Sequence, residues 1–406
     1  MRPAWLMPIF LIAACGGSAT HRPPVVRDSA GITIVENLDP VWSKADRWAV
    51  SDEPIVDIGT ADKSSKSSLE RAVSAVRLAN GTIAVANAGT KEIRWYDNGG
   101  NYLRSSGGKL GAEIEFVGIE KLDILVPDSV VAYDFGALRI SVFDKDGTFK
   151  RATSVVVAFG SPPGSLRGAF ADGSLLFVRG PKSWVRSLIR SGQAPDGLMR
   201  GPADAFHYTS TGRFIRIIGS FVGSEQFFKR GKRFVRASAR PFGRDASFAV
   251  AGNQFYVGYQ NTYEIELRDT NDSLKAVIRL QRRNRSVSPK DVETFKQNAM
   301  VGVHERNRDE KIRQLEAFPY PDSMPAYGAI HTDPDGNLWV ADYEPFPVEA
   351  LGWTVFDADH RMLGKVYVPS RFSIYQIGND FVLGRLIDPK GVEHISVYRL
   401  EKPVAR

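Results

Sequence analysis

The chain has 406 residues, 43% of them hydrophobic, with 53 basic against 46 acidic side chains and a net charge of +7. That is apolar material enough for a large buried core. Its single cysteine, Cys15, excludes a disulfide within the chain, so core burial has to carry the stability.

Met1 and Arg2 precede an apolar run over 4–14 that closes on small residues, the layout of a secretory signal. The run is too short for a membrane-spanning helix, which needs roughly 20 residues. Ile12-Ala13-Ala14-Cys15 resembles the lipobox of bacterial lipoproteins. The resemblance implies cleavage before Cys15, acylation of its sulfur and a stable anchor of two or more chains, at about 0.8 kcal/mol per buried CH₂. An ordinary signal peptide with a chance thiol is the alternative. Gly16 stands where an Asp would retain such a lipoprotein at the inner membrane, which implies the outer membrane, on its periplasmic side in preference to the cell surface. The reading is therefore a signal over 1–14, a flexible tether over 15–30 and a folded domain over 31–406.

Three stretches of that domain share one order of turn, strand ending in Asn or Asp, loop, and strand ending in aromatic-Asp. They are "NGTIAVANAGTKEIRWYDNGGNYLR" from Asn80, "PDSVVAYDFGALRISVFDKDGTFKR" from Pro127, and "DGNLWVADYEPFPVEALGWTVFDADHRMLG" from Asp335. A weaker copy starts at Gly252. Short alternating or apolar strands, separated by Asn-Gly and Asp-Gly turns and recurring at this period, are the pattern of propeller blades. The motif resembles NHL-type repeats, and the chain is similar to the bacterial six-bladed β-propeller lipoproteins, with NHL-like or TolB-like blades. The fold class read from this is all-β, a six-bladed β-propeller with a short helical insert. Blades fall at about 73–108, 116–155, 165–235, 246–283, 326–369 and 372–400; two blades within the third stretch would make seven. The last blade shows three strands, and a strand at Pro54–Gly59 is expected to complete it and close the ring.

At about 288–317 the pattern turns helical. Ser288, Pro289 and Asp291 supply a cap, a first-turn proline and an acidic third residue. Val292, Phe295, Ala299 and Val303 share a face, and a second helix carries Ile312 and Leu315. The insert is either a lid or structural packing.

No Gly-x-Ser-x-Gly elbow, phosphate loop or His-Glu-x-x-His zinc motif is present. Asn87, Asp134 and Asp342 hold one repeat position after the second strand of three blades, so they share a face. Related propeller lactonases and esterases bind calcium through such oxygens, which implies a ligand or metal role here with His331 as general base. Alternatively each caps its own turn. The aromatic-Asp pairs Tyr96-Asp97, Phe143-Asp144 and Phe356-Asp357 read as structural. Residues 151–290 carry a net +14, densest at Arg230, Lys232, Arg233, Arg236, Arg282, Arg283 and Arg285. This sector either faces an anionic surface or partner, or is scattered solvated charge. Nucleic acid is excluded by the export signal. The function read from the sequence is an anchored binding module for a protein, peptide or glycan, non-catalytic and without cofactor; the alternative is a calcium-dependent propeller enzyme.

Overall fold

Six sheets hold almost all the regular structure of the described residues, which are 21–43, 45–62, 64–108, 113–125, 128–231 and 234–403 of a computed structural model. In chain order their first strands are Ala72–Arg77, Ile119–Leu125, Ser165–Ala169, Ser247–Ala251, Ile330–Thr332 and Ser373–Ile377. Each of these packs against the first strand of the next sheet, and the sixth returns to the first, so they form a closed ring. Successive strands then step outward, antiparallel, to the rim.

The core is correspondingly divided into six apolar layers, one between each pair of adjacent sheets. The layer between sheets one and two holds Trp95, Leu122 and Phe143, all fully buried. The layer between sheets six and one, built on Val85, Tyr96, Leu383 and Ile395, closes the ring. Aliphatic and aromatic strand residues repeat because each sheet is buried on both faces.

The recurring aspartates explain the recurring turns. Asp97 accepts the N–H groups of Gly99 and Asn101 at 2.9 and 2.8 Å, and Asp144 those of Asp146 and Thr148 at 3.0 and 2.9 Å. Asp269 and Asp388 repeat the device in sheets four and six. The Asn101 amide, foremost, holds the Asp97 carboxyl below its usual range, and the Lys150 ammonium does so for Asp144. The aromatic partners Tyr96, Phe143 and Phe356 are fully buried, as the pattern implied. Gly147 completes the Asp144 turn at φ +75°, where a Cβ would also stand 2.6 Å from the Trp95 ring.

Closure of the last sheet uses the expected segment. Val56–Ile58 pairs antiparallel with Glu393–Glu401, and Ala49–Val50 extends the pairing. Three features depart from the sequence reading. The tether does not extend to residue 30, because Val25–Ser29 is a strand in a hairpin with Ile32–Asn37. That hairpin adds to sheet four, with Ile32–Asn37 parallel to Leu274–Leu280. The stretch from 165 forms one sheet of five strands that runs on to Val235–Ala239, with an unforeseen helix α1 (Pro181–Arg190) between its second and third strands.

The insert consists of α2 (Pro289–Met300) and α3 (Arg308–Glu316). Ser288 and Asp291 form the expected capping box on α2. Phe295 packs on Phe242 at 5.5 Å and Phe318 on Phe227 at 5.6 Å, while Arg240 donates to the Pro319 carbonyl at 2.6 Å. Leu315 is buried but Ile312 is 41% exposed, so only one side of α3 is packed. These contacts hold the insert to sheet three and the loop that follows it, which is structural packing.

Candidate functional site

The first strands leave a cavity of about 480 Å³ on the ring axis, bounded by residues of sheets two to six. Strand irregularity shapes its wall. In sheet two the pairing passes from Tyr133–Lys121 to Asp134–Ile119 and leaves Glu120 as an extra residue. Arg167 in sheet three and Tyr375 in sheet six are skipped in the same way. Such bulges re-aim a side chain, and all three residues line the cavity.

Most polar groups of this wall are spent on the protein. Asp123 accepts from the Ile124 and Ala169 N–H groups at 2.8 and 3.1 Å, which ties sheet two to sheet three. Thr332 donates to the Val250 carbonyl at 2.6 Å, and Tyr375 to the Ala72 carbonyl at 2.7 Å. Gln376 accepts from the Arg77 N–H at 2.6 Å and donates back to its carbonyl. Burial pushes the Asp123 carboxyl up, against the opposing pull of Lys121. The Arg167 guanidinium is pushed down by burial, with Asp245 and Glu120 opposing.

His331 lies on this wall, half-buried, its ring 5.6 Å from that of Trp353. Burial, aided by Lys121, pushes its imidazole down to about 4, so it is neutral at pH 7. The three repeat positions lie elsewhere. Asn87 accepts the Glu70 N–H at 2.7 Å and donates to the Thr90 hydroxyl at 2.7 Å. Asp134, fully buried, accepts from Val117, Gly118 and Ala137 N–H groups at 2.7, 2.8 and 3.0 Å. Asp342 pairs with Arg282 and Lys365. Each therefore braces its own surroundings, and no three His, Cys, Asp or Glu side chains among the described residues are grouped to hold a metal. The donor set does not fit a calcium ion, because backbone amides and cations already occupy its oxygens. Gln260 serves sheet four similarly by accepting the Asp245 N–H at 2.9 Å, a role the repeat motif missed because Gln replaces Asn or Asp.

A Ser–His contact exists in sheet three, with His207 Nε2 2.6 Å from Ser174 Oγ. Its order is wrong for a triad. Asp172 accepts from the serine hydroxyl at 2.5 Å and the His207 Nδ1 is left without a partner, so no carboxylate orients the imidazole. Both residues are buried.

The basic sector is partly neutralised. Arg236, Arg282 and Arg285 pair with Glu310, Asp342 and Asp291, and Arg230 donates to the Ala194 carbonyl. Arg283 is exposed; Lys232, Arg233 and Cys15 lie outside the described residues. Among the described residues no helix is long and apolar enough to cross a membrane.

No family model matches the chain, and no curated protein does. Solved structures do. A DUF4221-family member from Bacteroides vulgatus is 8% identical and aligns with a TM-score of 0.50 over 89% of this chain and all of its own. A gluconolactonase from Xanthomonas campestris is 13% identical, with a TM-score of 0.41 over 88% of this chain and 99% of its own. Virginiamycin B lyase from Staphylococcus aureus is 9% identical, with a TM-score of 0.40 over 87% of this chain and all of its own. The likeness is one of fold: the chain is a β-propeller protein.

Proposed function

We propose that this propeller is a non-catalytic binding module of the cell envelope, anchored through Cys15, whose central channel receives a small ligand. The observation that carries this reading is the channel wall. It is a cavity of ligand size in which most polar groups are fixed by the protein, and the few left over can bind but include no hydrogen-bonded nucleophile-base pair among the described residues. Propeller folds host unrelated chemistries, so the site and not the fold decides. Native mass spectrometry of the full chain, after incubation with a small-molecule extract of bacterial envelopes, tests it. The wild type retains an adduct that is recovered chemically unchanged, and Ser165→Trp, which fills the channel wall, loses it. A ligand recovered as a reaction product, or an adduct that survives in a folded Ser165→Trp protein, contradicts the proposal.

A further inference from the structure

Four functional groups of the channel wall have no hydrogen bond to the protein among the described residues: the Lys121 ammonium, the Arg167 guanidinium, the Ser165 hydroxyl and the His331 imidazole. Two of these are cations, and the ion pairs among the described residues include neither, although Asp245 and Glu120 act on Arg167 from farther off. By contrast, arginines that are more enclosed elsewhere in the molecule are engaged: Arg94 with Glu92, Arg179 with Asp204, Arg240 with Glu225. Arg167 is moreover the extra residue of a bulge, so the strand departs from its ladder at the position that sends this side chain into the cavity. The side chain stands open to the cavity and yet is enclosed by the channel walls.

We infer that the channel binds a small carboxylate ligand, of about monosaccharide size, through Lys121 and Arg167. The inference rests on the binding-module reading and names its ligand chemistry. An unpaired guanidinium fork matches a carboxylate with two parallel hydrogen bonds, and Lys121 supplies a second charge from the neighbouring sheet. The acids acting on Arg167, Asp245 and Glu120, limit how much negative charge the site accepts. Asp123 faces Lys121 and does the same. A single carboxylate is matched to that balance, whereas a doubly charged phosphate is opposed by it. His331 is neutral at pH 7 and adds hydrogen-bonding capacity without charge.

Isothermal titration of the full chain in detergent tests this with three probes: galacturonate, its neutral counterpart galactose, and inorganic phosphate. Galacturonate binds, and galactose and phosphate bind at least about tenfold more weakly. Arg167→Met and Lys121→Met each weaken galacturonate by about tenfold with melting temperatures unchanged, and Arg167→Lys restores part of the loss. Equal affinity for galactose overturns the inference, as does tighter binding of phosphate or an unaltered affinity in folded Arg167→Met. Absence of binding by all three probes also overturns it. The binding-module reading fails separately, on chemical conversion of the ligand retained from the envelope extract or on its survival in folded Ser165→Trp.

Discussion

Deletion of residues 25–58 opens the ring and yields a product that aggregates or melts far below the intact protein. This segment crosses three sheets in succession. Ile32–Asn37 lies along sheet four. The Val41 and Trp42 N–H groups then donate to the Met362 and Leu363 carbonyls of sheet five at 2.9 and 2.8 Å. Ala49–Val50 and Val56–Ile58 finish sheet six. Its removal bares the edge of Glu393–Glu401 and the apolar layer beneath it, where Trp48 stands 6.0 Å from the buried Trp339. A single residue reports on the same belt. Asn37, 1% exposed, donates to the His360 carbonyl at 3.0 Å and accepts the Met362 N–H at 2.7 Å. Asn37→Ala leaves both groups unpaired and costs about 2–4 kcal/mol. Thermal melting and size-exclusion chromatography read both effects. A deletion that stays monomeric with an unchanged melting temperature contradicts closure by this segment.

Cys15→Ala moves the protein from the membrane pellet to the soluble fraction and abolishes labelling with an acyl-chain analogue. Two or more acyl chains hold a protein stably at a bilayer, and no helix among the described residues is long and apolar enough to span one. Membrane affinity without the acyl chains would have to come from the exposed Val25–Ser29 edge or from the basic sector. A high-salt wash removes the second. Persistence of the Cys15→Ala protein in the washed pellet places the anchor elsewhere.

Much of the architecture is written in local chemistry. Asp97, Asp144 and Asp357 mark turns because an Asx carboxylate accepts nearby N–H groups wherever it falls, and Ser288 with Asp291 marks a helix start for a similar reason. The closing strand was legible because a blade with three strands lacks an edge partner. The hairpin at Val25–Ser29 was not: its first strand is exposed throughout and reads as polar linker, and its place on sheet four depends on a long-range parallel pairing. Helix α1 was hidden inside an otherwise β-patterned stretch. For the site, His331 was found from its place before a repeat turn. Lys121 and Arg167 were not, since a lone basic residue in an alternating strand reads as a solvent-facing position. What aims Arg167 at the axis is a bulge, and one inserted residue leaves no mark in composition or periodicity. Asn87, Asp134 and Asp342 were legible as equivalent positions but not as spent ones, because only the structure shows which N–H groups or cations they meet.

The non-catalytic reading requires that Asn87, Asp134 and Asp342 hold no calcium ion, and the melting temperature of the chelator-treated protein before and after calcium addition tests this most directly. A ligand that binds only the folded state raises the melting temperature by mass action, by about 2.7 kcal/mol of stability at a hundred times its dissociation constant. Asp134 already meets three N–H groups and Asp342 two cations, so millimolar calcium leaves the melting temperature unchanged. A rise of several degrees that magnesium does not reproduce would establish a calcium site on this propeller and contradict the account.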